Sequence, residues 1–384
     1  MKIGCCLAYY KNHNNYGTSL QGYALVKVLQ SLGHDVHIIK YQKNDNLIKR
    51  LSNAPLLLIS GGYKAYIRKI RKKLNNKGNS TYAQNMRIRT EVNNQFKDVN
   101  MEPLCDIFVG YSNLQNGAFQ YDAVLVGSDQ VWTPLGLYSN FYNLMFVDDS
   151  IQKISYASSF GVSKIPWWQR KATRNYLNRI DHLSVREIKG KEIVDTISSK
   201  TATVVCDPTL LRSRTEWETE LTNVAPIVTE PYIFCYILGN NEQIRTEITH
   251  FGKTKGLKIV TLRHIDEYLQ CDDAFGDIAP YKVNPLDFVQ LIKNAQYVFT
   301  DSFHASVFSL IFNRKFLTFY RYSNTSKNSR NSRIDSLFTL MGTQDRLYQG
   351  KIDSIDDVID YDTVNDKLSA LREKSKEFLV QALS

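Results

Sequence analysis

The feature that most constrains this chain is an alternation of short apolar runs with helical periods, set from the first forty residues. Lys2 to Tyr10 is apolar enough to be a buried strand, Leu20 to Leu32 has helical periodicity closed by Gly33, and Asp35 to Tyr41 (DVHIIKY) is a second strand. Two strands joined through one helix run parallel, because a single crossover returns the chain to the same end of the sheet. The pattern then continues with YDAVLV at 121–126, a strand at 153–157, a helix at 167–180, HLSV at 182–185 and ATVVC at 202–206. A second series starts at Pro231: YIFCYIL, a helix at 242–255, a strand at 257–262, a helix at 285–294 with Pro in its first turn, a strand at 297–300, a helix at 305–313 and a strand at 316–320.

Two doubly wound α/β domains account for this pattern. The expected division is 1–225 for the first and 226–360 for the second, with a charged helix over 361–384 that packs back on the first. At 384 residues and 43% hydrophobic content the chain can fill two cores. Apolar runs stay short of a membrane span, and the N-terminus reaches a polar loop too early for a secretory signal, so a cytoplasmic setting is expected. Six scattered cysteines show no CxxC pair and no metal-ligand spacing, which fits reduced, buried thiols without zinc.

Charge is unevenly spread. Between residues 47 and 97 twelve Lys and Arg face Glu91 alone, while the whole chain carries +10. One basic helical insertion in the first domain therefore holds the excess. Its APLLLISGGYKAYIRKIRKKL stretch joins apolar residues to dense cations, a pattern suited to peripheral contact with an anionic membrane or to a solvated surface helix. No nucleic-acid-binding motif accompanies it, so nucleic acid is not an expected partner.

Ligands of open α/β sheets bind beyond the carboxyl ends of the strands, so polar residues there are the site candidates. They fall in four clusters: Asn15 to Gln21, Ser128 to Trp132, Arg186-Glu187 and Asp301 to His304. GxGxxG after the first strand, GxxxxGK[ST], HExxH and GxSxG are all missing, which removes support for dinucleotide, P-loop, metalloprotease and serine-hydrolase chemistry.

Several short motifs occur in order: the Asn15-Tyr16-Gly17 loop with Gln21, VGSDQVW at 126–132, ISYASSFG at 154–161, SVRE at 184–187, CDPTLL at 206–211, TDSFHASVFS at 300–309 and NSRIDSL at 331–337. On these the chain resembles the polysaccharide pyruvyl transferase family. The resemblance implies two Rossmann-like domains in a GT-B-like arrangement. It also implies transfer of pyruvate from phosphoenolpyruvate onto two sugar hydroxyls as a cyclic ketal, with release of phosphate, on a surface-polysaccharide precursor that is lipid-linked. Phosphoenolpyruvate is then a co-substrate, and no cofactor or metal is expected.

By the same resemblance, Arg186 and His304 act on the donor. His304 suits acid/base work because imidazole titrates near neutrality, and Asp301 is expected either to orient it or to cap the helix that follows. Many family members carry an arginine where this chain has Ser302, and a glycine where it has Ala305. Arg321 or Arg333 is the expected replacement for that lost cation at the donor. Asn15, Tyr16, Gln21, Ser128, Asp129, Gln130 and Trp132 are assigned to the acceptor. A GT-B glycosyltransferase using a nucleotide sugar, and a non-catalytic saccharide- or membrane-binding relative, are the competing readings.

Overall fold

The computed structural model describes residues 1–44, 80–264, 267–321 and 331–384. The apolar-to-basic stretch at 54–74, read above as a membrane contact or a solvated surface helix, lies outside the described residues, as does most of the loop before Asn331. Among the described residues two sheets carry the fold. The first contains β1 (Lys2–Cys6), β2 (Asp35–Gln42), β3 (Cys105–Val109), β4 (Ala123–Val126), β5 (Gln152–Ser158), β6 (His182–Val185) and β7 (Thr203–Val204), in the order β3-β2-β1-β4-β5-β6-β7. The second contains β8 (Tyr232–Tyr236), β9 (Lys258–Thr261), β10 (Tyr297–Thr300) and β11 (Lys315–Thr318), in the order β11-β10-β8-β9. All neighbouring strands are parallel.

Central strands are buried on both faces, as a parallel sheet flanked by helices demands: all four residues of β4 and all five of β8 are inaccessible. Helix bounds follow local chemistry. The Tyr16–Ser31 helix starts at Asn15, whose side chain accepts from the Thr18 amide, and Gly33 follows its end at φ +84°. The Pro285–Asn294 helix opens on a reciprocal capping box between Asn284 and Asp287, with Pro in the first turn.

The direction of winding reverses between β1 and β4 in the first sheet and between β8 and β10 in the second. Loops leaving the two sides of such a reversal diverge and leave a crevice at the strand carboxyl ends. Both crevices open toward one shared space between the sheets.

What holds the sheets together is largely apolar. One continuous core includes Leu20, Leu125 and Trp217 on one side and Phe288, Val298 and Phe308 on the other. Tyr16 stacks on Phe288 at 4.9 Å and 8°, and Trp217 meets Phe308 edge-on at 5.1 Å. Tyr16, assigned above to the acceptor, is thus fully buried interdomain packing. The terminal Tyr361–Ala382 helix lies against the first sheet: Ser375 Oγ accepts from the Cys206 amide at 2.9 Å, and Arg372 donates to the Leu210 carbonyl at 2.8 Å.

The Ser80–Asn100 helix grips both halves. Toward the first domain, Lys97 donates to the carbonyls of Tyr10 (3.0 Å) and His13 (2.6 Å), and Asn94 exchanges side-chain and backbone bonds with Asn12. Toward the second, Arg89 donates to the Arg263 carbonyl at 2.8 Å and covers the Tyr281 ring, while Asn93 reaches the Val283 carbonyl. Arg89 and Lys97, counted above among the cations of a basic insertion, are therefore buried clamps. Burial also pushes the Lys97 ammonium down, to about 8.

Loss of the Tyr16 ring should leave a cavity at the interface. Tyr16→Ala is expected to cost about 3–5 kcal/mol in urea unfolding, with circular dichroism as the readout; unchanged stability beside a raised acceptor KM would instead return the residue to the acceptor.

Candidate active site

Between the two reversals lies a cleft of about 260 Å³. Its floor comes from strand carboxyl ends: Ala8 after β1, Asp129 to Val131 after β4, Tyr236 and Leu238 at β8, and Ser302 to His304 after β10. Asn15 and Thr18 enter from the Tyr16–Ser31 helix, and Arg321 and Arg333 complete the second-domain wall.

Two helix N-termini open into this space. Asn15 caps one, and Ser302 stands at the N-cap of the Phe303–Ile311 helix without making a side-chain capping bond. Amides of a first turn lack intrahelical partners and carry partial positive charge, so two converging termini favour an anion.

His304 is buried beside the Asn15 end. A Cβ on Gly17 would stand 2.0 Å from His304 Nδ1, so glycine is required for the imidazole to lie where it does. Its other nitrogen, Nε2, has no hydrogen-bond partner and sits 3.6 Å from Asp207 Oδ2 across the domain boundary. That same Oδ2 accepts from Arg186 Nη1 at 2.7 Å and from Ser128 Oγ at 3.3 Å. Asp207 Oδ1 is taken by the amide and hydroxyl of Thr209, at 3.0 and 2.7 Å. Burial alone would raise the Asp207 carboxyl, but His304 and Arg186 override it and hold the group well below the usual carboxylate range.

Arg186 and His304 do not face each other across an open gap. They meet on one carboxylate, and Arg186 stands behind the cleft wall with its guanidinium 4.7 Å from the Phe303 ring. Its Nη2 lies 3.8 Å from Asp129 Oδ1 and makes no hydrogen bond. Asp129 takes a left-handed backbone, φ +76°, which turns its side chain to the Thr18 hydroxyl at 2.9 Å. Here too burial raises the carboxyl while Arg186, His304 and Arg333 lower it further, for a net fall.

The remaining candidates divide. Arg321 and Arg333 both reach the cleft; the Arg321 guanidinium is held by Asp301 at 3.0 Å, and Arg333 lies over Phe303 at 5.7 Å. Asp301 neither orients His304 nor caps the helix. Its carboxylate accepts from the amides of Leu238 (2.9 Å) and Gly239 (2.7 Å), fixing the turn after β8. Trp132 points into the core: its Nε1 donates to the Tyr142 carbonyl at 3.0 Å and its ring packs on Phe160 and Tyr176. Gln21 is fully buried and donates to the Thr18 carbonyl, and Ser128 serves Asp207 rather than the cleft. Gln130 and Asn15 do line it.

A family model described as polysaccharide pyruvyl transferase matches residues 15–324. The chain belongs to that family. Among solved structures, UDP-GlcNAc 2-epimerase from Neisseria meningitidis is similar over 100% of this chain and 99% of its own, with a TM-score of 0.52 and 11% identity. MurG from Acinetobacter baumannii covers 99% of this chain and 93% of its own at TM-score 0.41 and 10% identity. The first likeness shows a shared fold, and the two-domain arrangement is of the GT-B class. A search of curated protein sequences gives no match.

In this pyruvyl transferase family member, two site residues lie outside the four polar clusters. Asp207 appears in the sequence within the CDPTLL motif at 206–211 and was given no site role, although it stands at a strand carboxyl end like Asp129 and Asp301. His13 reaches the cleft from the loop pinned by Lys97, while Thr18, inside the Asn15 to Gln21 cluster, reaches it from the first turn of a helix. Among the described residues, no three His, Cys, Asp or Glu side chains are grouped to hold a metal ion.

Asp207 has a folded pKa below its ordinary 3.8, so its contribution to stability is present above that value and lost as pH falls toward the folded one. Removing one partner of a buried pair costs about 3–5 kcal/mol. Asp207→Asn should thus be less stable than the parent by that order at pH 7, with the gap constant down to about pH 5 and narrowing below pH 4 in urea titrations.

Proposed function

We propose that the cleft transfers pyruvate from phosphoenolpyruvate to two hydroxyls of a sugar acceptor, forming a cyclic ketal and releasing phosphate. The observation that carries this reading is the convergence of two helix N-termini with Arg321 and Arg333 around one small cleft that also holds His304. A donor with a carboxylate and a phosphate needs two anion positions, and guanidinium forks match both groups. Ser302 leaves the amides of the Phe303–Ile311 helix open, and Arg333 stands over the same turn, which supports Arg333 as the cation that offsets the arginine missing at position 302.

In this reading the donor's terminal carbon is protonated first, which makes its second carbon electrophilic. A sugar hydroxyl adds there, phosphate leaves, and the second hydroxyl closes the ring, so donor plus diol balances ketal plus inorganic phosphate. Asp207 faces the Nε2 edge of His304, which leaves Nδ1 to exchange protons with the reactants. Arg186, held among Asp207, Glu187 and Asp129, fixes the carboxylate that faces His304. Asn15, Asp129 and Gln130 offer amide and carboxylate groups to the acceptor on the first-domain side. The acceptor is a saccharide precursor of a surface polysaccharide.

Incubation with phosphoenolpyruvate and a galactose-containing saccharide should release phosphate and give a product heavier by one pyruvate less one water. Consumption of a nucleotide sugar with phosphoenolpyruvate untouched would overturn the reading. His304→Ala should lower turnover about 10²–10⁴-fold. Gly17→Ala should do so comparably, because its Cβ would occupy the place of Nδ1, and Arg333→Ala should raise KM for phosphoenolpyruvate above that for the sugar.

A further inference from the structure

We propose that the turn at residues 163–171, SKIPWWQRK, docks the protein on an anionic lipid bilayer. Trp167 is 80% exposed and Trp168 47% exposed. Among the described residues, the one aromatic contact of either ring is with the other, edge to face at 5.9 Å. Such exposure is not a failure of packing, because the residues on either side are fixed inward: Ile165 is buried, and Gln169 is buried with its Nε2 donating to the Pro134 carbonyl at 3.0 Å. The backbone thus presents two large amphipathic rings to the outside, the side chains that concentrate where bilayer meets water.

The charges around them point to the same occupant. Lys164, Arg170 and Lys171 are all exposed, and among the described residues none of the three has an ion-pair partner. Between Asp149 and Asp181 the sequence contains no carboxylate at all. A saccharide platform would set carboxylates or amides beside the rings to take hydroxyl bonds. Within this turn the only amide, Gln169, is already turned inward. Cations without counter-ions beside tryptophan complement phosphate head groups over an apolar layer.

Placement relative to the cleft gives the contact a use. The turn follows the carboxyl end of β5, the same end of the sheet as the cleft. On the way it passes Gly161, at φ +62°, against which the cleft residue Gln130 packs; a Cβ there would stand 3.2 Å from the Gln130 side chain. Docking through the tryptophans therefore brings the acceptor side of the cleft toward the lipid surface. The inference stands whatever group the cleft transfers, since it rests on a separate surface.

The test is flotation of the full chain with vesicles of pure phosphatidylcholine or of phosphatidylcholine with phosphatidylglycerol. The parent should float with the anionic vesicles only, less so at high salt, and its tryptophan emission should shift to the blue. Trp167→Ser with Trp168→Ser should lower the partition at least about tenfold by removing two interfacial rings. Lys164→Gln with Arg170→Gln and Lys171→Gln should lower it roughly fivefold per cation, about a hundredfold together. Circular dichroism of each variant should match the parent, as all five side chains are exposed. Parent that ignores anionic vesicles, or variants that float like the parent, would overturn the proposal. So would tryptophan variants that keep vesicle binding and lose affinity for a soluble saccharide.

Discussion

One carboxylate oxygen organises this molecule's chemistry. Asp207 Oδ2 lies beside Arg186 and Ser128 from the first domain and His304 from the second, with all four side chains withdrawn from solvent. A guanidinium from the first domain and an imidazole from the second meet at the same atom, so this acidic side chain adds a polar contact at the strand carboxyl ends to the apolar core that joins the sheets. Taking such charges out of water is costly, and the contact survives because Thr209 satisfies the other oxygen twice. Gly17 completes the fit by leaving room for the ring on the opposite side.

The fold was largely legible because parallel strands buried on both faces leave continuous apolar runs. His182–Val185, Tyr297–Thr300 and the Pro285–Asn294 helix fall where the sequence places them. Edge strands leave weaker traces. Cys105–Val109 went unread because Ile107 and Val109 face solvent beside polar neighbours, and ATVVC pairs over Thr203–Val204 alone. The Phe303–Ile311 helix begins two residues before the apolar period suggests, which carries His304 into its first turn and onto the amides that matter.

At the site, sequence position identifies strand ends but not the direction in which a side chain leaves them. Asp301 and Asp207 both follow apolar strands, yet one binds two loop amides and Arg321 of its own domain, while the other binds Arg186 and lies beside His304 across the domain boundary. Trp132 and Tyr16 were read as surfaces for a sugar on the strength of their type; packing neighbours distant in the chain, Tyr176 and Phe288, claim them for the core. Arg321 and Arg333 were found by asking what must replace a missing charge. Both line the cleft.

The Ser80–Asn100 helix has a consequence for access. Its Arg89 and Asn93 hold carbonyls of the second domain, while Thr90, Asn94 and Lys97 hold the segment from Tyr10 to Asn14 in the first. A rotation that spreads the two sheets must strain bonds at one or the other of these grips. The segment that lines the cleft through Tyr10 and His13 is thus joined by one rod to the far wall, and the mouth cannot widen without breaking bonds to that rod.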